Sequence, residues 1–244
     1  MQVQLFIPCY IDQLYPQVGV ATYQLLLKLG CDVFYPLNQT CCGQPMANSG
    51  FNHYTSACSK NYVDSFNRNI PIICPSGSCT LHVKEHLTGN EPGAQFIRNN
   101  IFELSEFIAD HLQSDFSNAS FPYKVGYHTS CHGQRGLGLS SMSELVVYPF
   151  SKPMSLLAQI EGLDLTYPKR VDECCGFGGT FCVTEEALSV KMGKDRLQDH
   201  LANEVEIITA NDMSCLMHLE GIIRRNKYPL RVMHIAEILN QSLV

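Results

Sequence analysis

One cysteine pattern occurs twice in this chain. Cys9 is followed by Cys41-Cys42-Gly43 and then by Ser78-Cys79; Cys131 is followed by Cys174-Cys175-Gly176 and then by Ser214-Cys215. A single Cys-Cys-Gly is a weak signal. Two of them, each with a cysteine upstream and a Ser-Cys pair downstream, read as two copies of one metal-binding unit. The fold must therefore bring four distant sulfurs to one place, twice.

The repeat extends beyond cysteine. Gly30-Cys31-Asp32-Val33-Phe34-Tyr35-Pro36 parallels Gly162-Leu163-Asp164-Leu165-Thr166-Tyr167-Pro168, and each segment precedes its Cys-Cys-Gly. An internal duplication is the economical reading. Each half begins with a short apolar strand (residues 3–8 and 125–128) that ends near its first cysteine. In the first half a helix follows between Pro16 and Gly30, with Val18, Ala21, Leu25, Leu26 and Leu29 on one face. In the second half Pro153 and Gly162 bracket the matching helix. A strand ending in Tyr-Pro comes next, then the Cys-Cys-Gly turn and another helix, with Thr184 as the expected cap of the second copy. A third strand (residues 70–74 and 205–209) leads into Ser-Cys and a further helix.

The expected fold class is α/β: two similar Rossmann-like βαβα halves with mostly parallel sheets. The repeats are placed at residues 1–88 and 123–244. Residues 89–122 are read as a connection, with a helix over 101–112 and a polar linker over 114–122. The second half has extra residues between its first cysteine and its Cys-Cys, assigned to the loop 133–143. In such a fold the cysteines fall in strand-to-helix loops, at the carboxyl ends of the strands, where open α/β sheets place their ligands.

Composition narrows the function. The formal net charge is −6 and the pI is about 5.8, so nucleic acid is not an expected partner. No apolar run reaches membrane-spanning length, and the N-terminus lacks the pattern of a signal peptide. Twelve cysteines without a secretion signal imply a reducing, cytoplasmic location, where thiols stay free for metal or redox work.

Iron–sulfur clusters are held mainly by cysteine thiolates, commonly four. Each half supplies four: Cys9, Cys41, Cys42 and Cys79, then Cys131, Cys174, Cys175 and Cys215. Structural zinc favours pairs such as C-x2-C, a spacing absent from the matched cysteines. The pattern therefore favours iron–sulfur clusters, of the [4Fe-4S] type and up to one per repeat, with zinc as the competing metal. Cys31, Cys58 and Cys74 read as buried small apolar residues. Cys182 is close enough in sequence to approach the second site.

Other signals are weaker. Gly176-Phe177-Gly178-Gly179 lacks the spacing of a dinucleotide loop. His82-Val83-Lys84-Glu85-His86 matches a metalloprotease pattern, but no third ligand stands out and a solvated helix face explains it better. His128, His132 and Arg135 surround Cys131 as candidate catalytic groups. They could bind a carboxylate, shuttle a proton or tune a cluster. They could equally bond backbone groups and offset thiolate charge.

Gln39-Thr40-Cys41-Cys42-Gly43-Gln44-Pro45 with Asn48-Ser49-Gly50, and Cys174-Cys175-Gly176-Phe177-Gly178-Gly179-Thr180-Phe181, resemble the two central motifs of the lactate utilisation protein A family. Pro75-Ser76-Gly77-Ser78-Cys79 and the segment Tyr127 to Gly138 match it too, so the resemblance covers nearly the whole chain. Relatives in the wider CCG-domain group include the cysteine-rich component of heterodisulfide reductase and the iron–sulfur component of glycolate oxidase. The resemblance implies an iron–sulfur electron-transfer oxidoreductase component of a cytoplasmic system that oxidises L-lactate to pyruvate. It implies two partners: a second iron–sulfur protein and a third small protein.

One departure qualifies this. The heterodisulfide reductase type ends each repeat in C-x-x-C, and the first of those positions here is Ser76 or Asp212. A four-thiolate site, or one with an oxygen ligand from Asp212, is what the residues support. Two alternatives stay open: a thiol–disulfide redox component like that of heterodisulfide reductase, and a zinc-holding structural or interaction protein.

Overall fold

The computed structural model describes residues 1–243, which form two parallel four-stranded sheets of the same topology. In the first half the elements are β1 (Gln2–Leu5), α1 (Cys9–Leu14), α2 (Pro16–Lys28), β2 (Asp32–Phe34), α3 (Gln44–Asn48), α4 (Ser56–Ser65), β3 (Ile72–Cys74), α5 (Gly77–His86), α6 (Pro92–Asn100), β4 (Ile101–Glu103) and α7 (Leu104–Phe107). In the second they are β5 (Lys124–Tyr127), α8 (Lys152–Leu157), β6 (Asp164–Thr166), α9 (Phe181–Thr184), α10 (Glu186–Ala202), β7 (Ile207–Ala210), α11 (Met213–Asn226), β8 (Arg231–His234) and α12 (Ile235–Ser242). The strand orders are β2-β1-β3-β4 and β6-β5-β7-β8. Every pairing is parallel, with registers such as Val3↔Val33 and Val125↔Leu165. The order reverses between β1 and β3, and between β5 and β7. Connections leave toward opposite faces there and open a crevice at the strand ends.

Local sequence explains the elements. Ile72, Ile73 and Cys74 are all buried, as expected of an inner parallel strand covered on both faces. Helix α2 starts at Pro16 and buries Val18, Ala21, Leu25 and Leu26. It stops at Gly30, whose φ of 77° lets the Cys31 amide turn back to the Leu26 carbonyl at 2.9 Å. Gly162, with a φ of 76°, marks the matching position of the second half.

Several expectations need correction. Residues 101–112 are not one helix: 101–103 form β4 beside β3, with Ile72↔Ile101 in register. The second half also has a fourth strand, β8. Both end in a buried cap followed by a short helix. Glu103 accepts from the Ser105 and Glu106 amides, His234 accepts from Ala236, and Glu106 and Glu237 reach back in capping boxes. The signal was present as a further repeat, Phe102-Glu103-Leu104-Ser105-Glu106-Phe107 against Met233-His234-Ile235-Ala236-Glu237-Ile238. A three-residue strand merging directly into a helix hides its period of two. Thr184 does not cap α10: it closes the short helix α9, and Glu185 takes the N-cap position without a side-chain bond. The extra residues of the second half lie over 137–151, because 132–136 form a helical turn that continues from Cys131.

A pseudo-two-fold relation joins the halves. Helix α12 of the second half packs on α2 of the first, and α7 of the first packs on α8 of the second. Lys28 Nζ donates to the carbonyls of Asn240 and Leu243 at 2.7 Å each. Lys152 pairs with Asp110 in the opposite direction. One apolar core runs through both halves and includes Leu25, Phe107, Leu157 and Leu239.

Candidate metal centres

The four matched cysteines of each half converge. In the first half the thiols form a contact chain in the order Cys9, Cys41, Cys42, Cys79. In the second the order is Cys131, Cys174, Cys175, Cys215, position for position the same. Cys9 opens α1 after β1, Cys41 and Cys42 lie in the loop after β2, and Cys79 sits in the first turn of α5 after β3. Three separate strand ends thus contribute to each quartet.

Backbone geometry prepares the sulfurs. Gly43 and Gly176 have φ values of 95° and 90°, which an L side chain rarely adopts. Their amides turn back to donate to Cys41 Sγ and Cys174 Sγ at 3.4 Å. The Phe177 amide does the same to Cys175 Sγ at 3.4 Å. Hydrogen bonds from Cys42 and Cys9 pull the Cys41 thiol well below its usual range, and those from Cys131 and Cys175 do the same for Cys174. The donating Cys9 and Cys131 are pushed up, first by those same bonds. Each quartet therefore gathers thiolate character at its centre, the state that binds metal.

The loops are held by buried polar contacts. Gln39 accepts from the Ile7 amide at 2.8 Å, fixing the approach to Cys41. In the second half Asp199 accepts from the Lys169 and Arg170 amides at 3.1 Å each and pairs with the fully buried Arg196 at 2.6 Å.

The three candidate groups around Cys131 separate. Only His128 reaches the quartet: its ring nitrogens and the sulfurs of Cys175 and Cys215 hold donor atoms within 4.8 Å of one another. It is buried, neither ring nitrogen has a partner among the described residues, and burial with the nearby Arg196 pushes its pKa down to about 3. A neutral imidazole with unused nitrogens beside two sulfurs fits a metal environment. His132 is exposed, and Arg135 is exposed and paired with Glu144.

Sequence reasoning missed two more histidines. His82 and His218 each lie three residues after the helix cysteine, in Ser-Cys-x-x-His of both halves. Both are tuned by the neighbouring Cys41 or Cys174, though burial is the larger influence and lowers each pKa, His82 to about 4. The expected solvated face for His82 is wrong: it is buried against the Cys41-Cys42 turn, and only His86 is exposed. A third repeated motif was the available signal.

Cys31 and Cys74 are buried, while Cys58 is half-buried beside the first centre, its Cβ packed near Gly43. Cys182, half-buried, donates its thiol to the Gly179 carbonyl at 3.0 Å. Asp212 is engaged as a helix cap through both carboxylate oxygens. Its Oδ1 accepts from Ser214 N and Oγ and from the Tyr10 hydroxyl, and its Oδ2 accepts from the Ser78 amide at 2.7 Å. Ser76 caps α5 through the Cys79 amide at 3.3 Å and bridges Asp212 as an isolated antiparallel pair. The positions that depart from the five-cysteine pattern are thus helix caps on the seam between the halves.

The CCG cysteine-rich domain model matches residues 3–84 and 125–220, one copy per half. Lactate utilization protein A of Exiguobacterium sp. is 38% identical over 99% of this chain and 98% of its own length. That of Bacillus licheniformis is 37% identical over 98% and 99%. The chain belongs to the lactate utilization protein A family. The similarity runs over nearly the full length of both chains. A crystal structure of a hypothetical protein from Helicobacter pylori superposes with a TM-score of 0.61 at 13% identity. It covers 99% of this chain, which spans about half the length of that one, and it supports the fold alone. Among the described residues, no helix is long and apolar enough to cross a membrane.

Proposed function

We propose that this chain is an iron–sulfur electron-transfer component of a cytoplasmic system that oxidises L-lactate to pyruvate. The observation that carries the reading is the pair of cysteine quartets, each with the same thiol order and each drawn from three strand ends. Cys9, Cys41, Cys42 and Cys79 would hold one cluster of the [4Fe-4S] type, and Cys131, Cys174, Cys175 and Cys215 a second. When bound, such clusters supply one-electron redox chemistry.

The protein's own part is electrostatic and steric. The Gly43, Gly176 and Phe177 amides offset thiolate charge, and α5 and α11 direct their positive ends toward Cys79 and Cys215. His82, His128 and His218 lie beside the sulfurs as neutral groups that tune without adding charge. Exposed apolar side chains flank both cysteine loops: Leu37, Phe51 and Tyr54 at one, Val183 and Leu188 at the other. They suit docking of a second iron–sulfur protein of the same system, with a third small protein completing it. The family's name supports the substrate. The thiol–disulfide alternative has no fifth cysteine to support it, since Ser76 and Asp212 act as caps.

The test is iron, zinc and acid-labile sulfide content with EPR on protein purified without oxygen. About four to eight irons per chain with matching sulfide are expected, falling by about half in Cys42→Ser or Cys175→Ser. Stoichiometric zinc without sulfide would leave a structural metal protein and end the electron-transfer reading.

A further inference from the structure

The halves differ most at residues 137–151. This segment folds back as a strap: Ser141 N donates to Phe150 O at 2.9 Å, and Lys152 N to Leu139 O at 2.9 Å. Beneath it lies a cavity of about 880 Å³. Met142, Leu145, Val147, Phe150, Met154 and Tyr167 give it largely apolar walls.

One carboxylate ties the strap over the cavity to the loops that carry the second cysteine quartet. Asp172, two residues before Cys174, accepts from Gln134 Nε2 and from Ser143 N, the latter at 2.8 Å. Gln134, three residues after Cys131, also donates to the Ser141 carbonyl at 2.8 Å. The strap, the Cys131 turn and the Cys174 loop are therefore tied together. Thr129, two residues before Cys131, is part of the cavity wall.

The chemistry of the lining selects a ligand class. Lys152 is its one charged side chain among the described residues, and that amine already bonds Asp110 at 2.5 Å. The neighbouring Arg135 is paired with Glu144. No unpaired cation awaits a carboxylate or a phosphate, which argues against lactate itself and against flavin or nicotinamide nucleotides. The volume also exceeds what a small hydroxy acid fills and suits a ring-bearing molecule. The Ser143 hydroxyl is held by Asp172, while the Thr129 hydroxyl bonds no other described residue and can donate to a ligand's carbonyl oxygen.

We propose that this cavity binds a quinone, a neutral planar dione with an apolar substituent. The inference rests on the electron-transfer reading above. Lactate releases two electrons and two protons in becoming pyruvate, and a quinone takes up the same number in becoming the quinol. The first half has no segment that matches this strap, so the duplication is functionally divided: the second half carries the place for an organic acceptor.

The test is equilibrium dialysis of the metal-loaded protein with menadione under anaerobic conditions, with iron and sulfide measured on the same samples. Saturable binding of about one menadione per chain is expected. Val147→Asp and Tyr167→Ala, both at exposed positions, should each weaken it about tenfold or more while iron content is unchanged. Lactate and flavin mononucleotide should not displace it. Absence of saturable binding in iron-loaded protein, insensitivity to both variants, or displacement by flavin mononucleotide would each overturn the proposal. Variant-sensitive binding in protein that proved to hold zinc would keep the cavity assignment and remove the lactate-electron reading, so the two failures are distinct.

Discussion

The Ser78 amide donates to Asp212 Oδ2 at 2.7 Å across 134 residues of chain. The same carboxylate caps α11 through Oδ1 and the Ser214 amide. One side chain thus satisfies the N-termini of two helices, α5 and α11, whose first turns hold Cys79 and Cys215. Tyr10, adjacent to Cys9, completes the seam by donating its hydroxyl to Asp212 Oδ1 at 3.1 Å.

Removing that carboxylate should therefore affect both halves. Each N-cap contributes about 1 kcal/mol, and the buried donors left behind cost more. Asp212→Ala is expected to lower stability by roughly 3 kcal/mol in urea titration and to reduce metal content at both centres. Asp212→Asn, which retains one acceptor, should lose less. A loss confined to the second centre would show that the halves are not coupled at this point.

The two Cys-Cys-Gly glycines should respond unequally. A Cβ on Gly176 would lie 2.6 Å from the Ser189 carbonyl oxygen, while one on Gly43 would meet side-chain carbons of Thr55 and Cys58 at 3.2 Å and beyond. Both pay about 1–2 kcal/mol for the left-handed conformation. Gly176→Ala must also displace the α10 backbone. Thermal melts and metal analysis should show Gly176→Ala losing the second centre, with Gly43→Ala milder because its neighbours, Thr55 and Cys58, are side-chain carbons no closer than 3.2 Å.

Cys182→Ser should leave metal content unchanged, because its hydroxyl can keep the bond to the Gly179 carbonyl. Cys175→Ser should remove about half of the bound iron. Equal losses from both, by elemental analysis, would place Cys182 among the ligands.

Buried ionisable groups away from the quartets set a pH dependence with two arms. Burial, then the nearby Arg196, lowers the His200 pKa from 6.5 to about 3, and burial lowers that of His234 to about 4. Both stay neutral in the folded state, while the unfolded chain takes up protons below about 6.5. Their contribution is complete above that pH and falls on acidification by about 1.4 kcal/mol per pH unit each. Glu103 has the opposite sign: burial raises its pKa from 4.5 to about 8, so its contribution is complete below 4.5 and is lost as pH rises toward 8. Glu103→Gln should remove the alkaline arm. The difference in stability between wild type and variant, followed by urea titration from pH 6 to pH 8, should change by about 1.4 kcal/mol per unit.

The duplication, the eight matched cysteines and the α/β order are legible in the amino-acid order alone. Those features are carried by short-range signals: paired Tyr-Pro and Cys-Cys-Gly turns, helix-stop glycines and apolar periods. The Ser-Cys-x-x-His and fourth-strand repeats were equally present, but a single histidine and a three-residue strand make little local pattern. Long-range packing is what turns His128 inward and leaves His132 and Arg135 facing solvent. It also makes Asp212 a cap shared by two helices, and folds the strap of the second half over a cavity. These outcomes depend on which strand ends converge and on contacts across the pseudo-two-fold seam, between residues too far apart in the chain for any local propensity to relate them.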